Sequence, residues 1–314
     1  MKTRDLFFLT KSGLALNCVT LIVVITGCTA PKSITESGKT TPRGQLKVGA
    51  NYNANIPTQT IKNAIELVGN GIGTVKSIKA INNEQEAGEE IKNRAASLSK
   101  YAIGYAVDPM TYGINYYARL GIAKRVDIGY QYAGGTNAFD IKYQFLGTTG
   151  KIGSYSENRF YGSIGLQYSS RKYELPDKFK LMDEFIDFRF NRKDLFIPVI
   201  FSKSFGDEEK KGHFSWGVAY NRAFLEYGMQ NKVYQNADLN IPYQNIERKQ
   251  FSSYGTFINL KTGNRCVFFV MSLAVYYTDY GTYKLIDGSS AHLHGFTYVP
   301  SLGIQFVTPG FRKK

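Results

Sequence analysis

The chain has 314 residues, 43% apolar and 20% charged, with 31 Gly and 9 Pro, which allows one large domain or two modest ones and excludes collagen-like or disordered organisation. Its 14% aromatic content comes from 23 Tyr and 21 Phe beside one Trp, a bias that suits strands and membrane interfaces better than helix bundles. The formal charge is +14, and two of the three cysteines fall within the first 28 residues, so Cys266 alone remains beyond them and a disulfide-stapled domain is excluded.

Lys2, Arg4 and Lys11 precede an apolar run from Leu14 to Thr26 that is broken only by Asn17 and Cys18. A charged stretch followed by an apolar core of this length reads as a signal peptide, too short to span a membrane and stay. The run ends Ile25-Thr26-Gly27-Cys28, which resembles the lipobox of bacterial lipoproteins; Cys18 lacks the small residue before it. The resemblance implies loss of residues 1–27 and lipidation of Cys28 by a diacylglyceryl thioether and an acylated, palmitate-type amine. Several chains anchor firmly where one binds only marginally. The alternatives are an ordinary signal peptide cut near Ala30 or an uncleaved anchor. Thr29 stands where an Asp would suggest inner-membrane retention by the enteric sorting pattern, so the resemblance points to the outer membrane. Residues 28–44 are polar, with two Pro and several Ser and Thr, and read as a lipidated flexible tether.

From Gln45 to Ile56 apolar side chains fall on even positions and polar ones or Gly on odd positions, the period of a two-faced strand. The pattern recurs at about 111–122, 126–132, 137–147, 158–169, 195–206, 213–224, 250–261, 265–277 and 296–307, which makes ten predicted strands. Their length suits a tilted membrane crossing better than a soluble strand. The long connections (57–110, 170–194, 225–249, 278–295) all fall on one side, together with the short 133–136, and the links 123–125, 148–157, 207–212 and 262–264 fall on the other. With stretches such as YGINYYARLGIAKRVDIGYQYAGG at 112–135, residues 45–307 resemble bacterial outer-membrane β-barrel proteins. The resemblance implies an all-β fold: an antiparallel transmembrane β-barrel with a helical insertion in the first outer loop and both ends of the barrel periplasmic. Implied partners are outer-membrane lipids and the barrel-assembly and lipoprotein-sorting machinery. One departure is that Phe306 is followed by VTPGFRKK, a basic tail at 308–314, where that family ends on an aromatic residue. A soluble sandwich or closed barrel on a lipid tether is the alternative.

Loss of residues 1–27 removes three basic residues and one acidic one and leaves +12. Tether, short turns and tail hold +7 of it, while the predicted outer loops sum to zero. A basic periplasmic rim facing anionic headgroups accounts for the excess, and no nucleic-acid motif is present. Tight turns at 123–125 and 133–136 would set Arg119 opposite Gly129, Asp140 on that glycine's other side, and Asp127 opposite Lys142. These four residues are expected to form an ion-pair network on one lumen wall, either satisfying buried charge or lining an ion-selective constriction. Ten strands leave little free bore.

In the first loop Thr58 can cap a helix carrying Ile61, Ala64, Ile65 and Val68, and a second helix is expected from Glu84 to Ser99. Gly69-Asn70-Gly71-Ile72-Gly73 between them reads as a helix break, since P-loop spacing is missing. The loop at 170–194 reads as charged and self-packing around Phe179, Leu181, Phe185 and Phe188. His213-Phe214-Ser215 resembles the His-x-Ser pair of outer-membrane lipid A deacylases, although both side chains would turn inward at the periplasmic end. His292 and His294 share a face and could bind a metal only with a third ligand. Cys266 is expected to be inert, and no cofactor is expected. The reading that results is a non-enzymatic barrel that displays its outer loops or contacts an extracellular ligand through them. The alternatives are a narrow passive channel and a membrane-embedded lipid hydrolase.

Overall fold

The computed structural model describes residues 31–69, 97, 99–149, 159–173, 186–231, 244–264, 266–285 and 288–308. Ten strands run through it: β1 (Leu46–Pro57), β2 (Thr111–Ala123), β3 (Val126–Ala133), β4 (Thr136–Leu146), β5 (Phe160–Tyr173), β6 (Ile186–Phe205), β7 (Gly212–Asn231), β8 (Gln244–Asn264), β9 (Val267–Lys284) and β10 (Ser290–Val307). Each pairs with its sequence neighbours in antiparallel fashion, and β1 closes on β10 through pairs such as Val48 with Phe306. Closure leaves no unpaired sheet edge.

Period two decides which face each side chain takes. In β9, side chains from Val267 to Tyr280 alternate outward and inward without a break. In β1 the inward set is Lys47, Asn51, Asn53 and Asn55, all buried, while Tyr52 faces out. The outward set of the barrel includes Phe139, Tyr168, Phe214, Ile258, Phe269 and Leu302, all exposed. Polar inside and apolar outside inverts the soluble arrangement and is what a transmembrane barrel requires, so the tethered soluble domain is not what folds.

The links 124–125, 206–211 and 265–266, together with the longer 147–159, share one end of the barrel with residue 45 and residue 308. The other end carries the links 58–110, 174–185 and 232–243, the shorter 285–289 and the tight Gly134-Gly135, whose φ of 51° and 83° make a two-residue hairpin turn that twists with its strands. At that end β6 to β10 run to 18–21 residues, well past their predicted limits. A membrane crossing takes roughly 9–11 residues, so one wall of the barrel projects roughly 20 Å beyond the bilayer. The expectation of loops at 186–194, 225–231, 244–249, 278–284 and 290–295 is corrected accordingly. Charge density there resembles loop composition, but Arg192 and Asp194 are i,i+2 neighbours that pair on the inner face of β6, through two hydrogen bonds of 2.8 Å.

A helix, α1 (Thr58–Gly69), follows β1 directly, as expected. The Thr58 hydroxyl, expected as its cap, instead accepts the Phe296 N–H at 2.9 Å and ties the helix start to β10. Residues 84–96 of the second expected helix and the glycine stretch at 70–73 lie outside the described residues; residues 99–107 are helical. Ile103, Ala106 and Val107 from that segment pack with Ala223, Leu225, Phe251, Tyr280 and Leu293 on the inner side of the projecting wall.

The largest departure concerns the expected tether. Residues 31–42 are buried inside the barrel. Small and polar side chains with no bulk to exclude them fit a lumen whose wall is polar, and backbone groups that water would otherwise satisfy find wall partners instead. Among the described charges of that segment only Arg43 is exposed, so Lys32 and Lys39 face lumen carboxylates and not lipid headgroups, which corrects that share of the expected basic rim.

Candidate functional site

The lumen is the site that the fold builds, and residues 31–42 thread it. At the short-turn end Gly44 N–H donates to Gly121 O (2.9 Å), Thr41 N–H to Asp127 Oδ2 (2.6 Å) and Thr40 N–H to Gln144 Oε1 (2.9 Å). Gly38 N–H donates to Ser202 Oγ at 3.0 Å, and Asn259 Nδ2 donates to Glu36 O at 2.9 Å. Further along, Asn51 Nδ2 reaches Thr35 Oγ1 (3.2 Å), Tyr276 Oη donates to Lys32 O (2.6 Å) and Gln167 Nε2 to Pro31 O (3.0 Å). Ile34 is buried among Phe196, Ile200, Phe257 and Tyr276.

Glycine makes this possible at Gly121, where a Cβ would run into the backbone carbonyls of Thr41 and Pro42. Gly129 does the same for charge. A Cβ there would meet Asp140 and Arg119, which reach each other across it.

The register sets Arg119 opposite Gly129, Gly129 opposite Asp140, and Asp127 opposite Lys142. Arg119 donates to Asp127 (2.6 Å) and Asp140 (2.5 Å), and Lys142 lies 3.6 Å from Asp127. The four expected lumen residues are thus brought together. A fifth, Glu36 of the thread, was missed. Its carboxylate lies 3.3 Å from Lys142, 3.6 Å from Arg119 and 4.0 Å from Lys47. Each charged thread residue meets an opposite wall charge, since Lys39 pairs with Glu208 at 2.5 Å and Lys32 with Asp108 at 3.8 Å. The buried wall cations Lys47, Arg119, Lys142, Arg192 and Lys261 face the carboxylates of Asp108, Asp127, Asp140, Asp194, Glu208 and Glu209. Among the described residues these wall charges, the nearly buried Asp140 included, sum to one negative, and the thread, with two lysines and one glutamate, supplies one positive charge. Buried charges are tolerable only when matched in this way.

Beside the upper end of the thread, Asp108 ties the residues that follow the 99–107 helix to the barrel wall. It accepts hydrogen bonds from Asn55 Nδ2 (2.9 Å), Tyr280 Oη (2.6 Å) and Thr297 Oγ1 (2.5 Å), while Arg192 donates to Val107 O. Burial alone would push the Asp108 carboxyl up, but Lys32 and the hydrogen bonds of Thr297 and Tyr280 outweigh it and hold the group below the usual carboxylate range. Glu209, in the turn Asp207–Glu209, is held well below that range against its own burial by His213 and Lys261. The cavity beside Glu36, Arg119 and Lys142 has a volume of about 40 Å³, room for water but not for a conducting pore.

His213 and Ser215 both point into this lumen and are fully buried. His213 Nδ1 faces Glu209 at 3.4 Å, a carboxylate that sequence reasoning left unpositioned, and Nε2 is engaged by Asn259 Oδ1 at 3.2 Å. Ser215 Oγ makes no hydrogen bond to the imidazole, and it faces the lumen and not lipid. His292 and His294 face outward with ring centroids 5.6 Å apart, and His292 lies 3.3 Å from Asp279. Among the described residues no group of three such ligands could hold a metal ion. Cys266 is exposed at the β8–β9 turn, and Cys28 lies outside the described residues.

No protein-family model matches the chain, and no curated protein is similar to it. Among solved structures it is similar to Ail, the attachment invasion locus protein of Yersinia pestis, at 10% identity over 85% of this chain and 99% of that one, with a TM-score of 0.30. Neisserial surface protein A gives 9% identity over 84% and 99%, with a TM-score of 0.27. The translocator domain of autotransporter NalP from Neisseria meningitidis gives 7% over 95% of each chain, with a TM-score of 0.37. Scores this low carry no functional weight, and the barrel rests on its own strand pairing.

Proposed function

We propose that this is a lipid-anchored barrel of the bacterial outer membrane that works as a sealed, non-enzymatic platform. It presents its long-loop face to the exterior for display or for contact with an extracellular ligand. The carrying observation is occlusion: residues 31–42 fill the membrane-level lumen and, together with residues 103–108, its outer mouth. The projecting wall formed by β6 to β10 supports an outward working face, because those extra residues lie beyond what a crossing needs. The tight links 124–125, 206–211 and 265–266 on the side of both barrel ends support a periplasmic placement of residues 45 and 308.

Conductance in planar bilayers tests this reading, using detergent-folded protein that an unboiled gel shows to be heat-modifiable. The platform predicts a folded, inserted and silent barrel. Ohmic steps whose ion selectivity shifts in Arg119→Ala would instead establish the narrow channel.

A further inference from the structure

The thread has a direction. Its contacts begin at the short-turn end with Gly121 and Asp127 and pass Ser202, Glu36's cations and Asn51 in turn. They finish with Lys32 against Asp108, beside the long-loop mouth, and with Pro31 on Gln167. From Gly44 back to Lys32 the backbone thus runs from the short-turn end toward the exterior side.

We infer that the amino-terminal segment enters the barrel at its periplasmic end and leaves beside residues 103–108, which fill the outer mouth together with it. Whatever precedes Pro31, the lipid anchor included, is then delivered to the outer leaflet, on the same side as the long loops. The anchor part of this rests on the lipidation reading at Cys28, whereas the direction of the thread does not.

Chain reach excludes the opposite leaflet. Cys28 is three residues before Pro31, a span of at most about 11 Å. Gln167, which holds Pro31, stands seven residues along β5 from Phe160 at the short-turn end. Seven residues are about 24 Å of strand, or roughly 18 Å along the membrane normal at a tilt near 40°. Three residues cannot cover that distance, and the lumen they would have to retrace is already filled. Attachment of Cys28 on the periplasmic side, where the barrel's amino-terminal end lies, is therefore incompatible with a threaded segment. Assembly follows the same geometry. Pairing of β1 with β10 around a segment already in place spares the acylated terminus a passage along the lumen.

Cysteine accessibility tests the inference with the full chain in its own membrane. Ala30→Cys is treated on intact cells with a small membrane-impermeant maleimide, and modified peptides are identified by mass. Cys266, exposed at the short β8–β9 turn, is the internal control for the periplasmic side. The expected result is labelling at position 30 from outside, with Cys266 labelled only after the outer membrane is permeabilised. If Ala30→Cys fails to give a heat-modifiable barrel, Thr29→Cys takes its place. Position 30 labelled only after permeabilisation, or not at all, overturns the inference. In the unsubstituted protein Cys28 should stay unlabelled and should incorporate an alkyne-tagged palmitate. If Cys28 reacts with the maleimide, the anchor reading fails, while the direction of the thread stands or falls on position 30.

Discussion

Glu36→Gln is the sharpest single perturbation, because it keeps the shape of the thread and removes only its charge. The carboxylate lies within 4.0 Å of three cations, Lys142, Arg119 and Lys47, and its side chain is 10% exposed. Removing one partner of a buried pair costs roughly 3–5 kcal/mol, because the remaining charges stay buried and unmatched. Arg119 and Lys142 keep Asp127, and Arg119 keeps Asp140 as well, so the low end applies, about 3 kcal/mol. That is about a hundredfold in the ratio of folded to unfolded barrel. The readout is the fraction of the heat-modifiable band against urea in detergent micelles, where the midpoint should fall at unchanged slope. Glu226→Gln is the control. Its partner Arg248 is 80% exposed, and a solvated pair contributes about 0.5 kcal/mol or less. If Glu36→Gln shifts the midpoint no more than this control, Glu36 is not in the lumen and the reasoning fails.

Gly121→Val places methyl groups against the carbonyls of Thr41 and Pro42, and it should lower stability by about 1–3 kcal/mol in the same assay. An unchanged midpoint would mean that the thread does not pass there. Asp108 has a folded pKa below its unfolded one, so its contribution is complete above about pH 4 and fades as pH falls through the folded value. Melting followed from pH 6 to pH 2 should therefore show an acid limb that Asp108→Asn flattens, and an equal limb in both proteins would contradict the pairing with Lys32. With His213 and Ser215 both buried in the lumen and not hydrogen-bonded to each other, wild-type protein should release fatty acid from lipid vesicles no faster than buffer. Release that disappears in His213→Ala would restore the hydrolase.

Much of the barrel was readable because period two carries its own proof: a one-residue slip would turn Lys47 and Asn51 to lipid and Tyr52 to the lumen. The Arg119, Asp127, Asp140 and Lys142 wall was readable for a related reason. The three-residue turn read at 123–125 gives the right pairing because an irregularity between Gly121 and Ala123 offsets the shorter link found at 124–125, while the link at 134–135 has no slack at all. The thread was not readable, since its order comes from partners more than a hundred residues away, such as Gln144 for Thr40 and Glu208 for Lys39. Its composition of Ser, Thr, Gly and Lys is also that of a solvated linker. What could have pointed to it was the wall itself, whose inward glycines and surplus of carboxylates ask for a backbone and a positive charge that the strands do not provide. The extensions of β6 to β10 were hidden because charges on alternating positions look like a loop until the inner ones, Arg192 and Asp194, are seen to pair.

Occupation of the lumen by residues 31–42 is the claim on which the sealed platform and the outward anchor both depend. The direct test is a cross-link between Thr35→Cys and Asn51→Cys in a Cys266→Ser background, at a site where the native side chains touch at 3.2 Å. Trypsin cuts after Lys39 and Lys47 between the two positions, so a disulfide joins peptide 33–39 to peptide 48–62. The account predicts that joined peptide as the main product from oxidised, folded barrel, and its absence after reduction. Two separate peptides with freely reactive thiols, from a barrel that is folded on the gel, would contradict it.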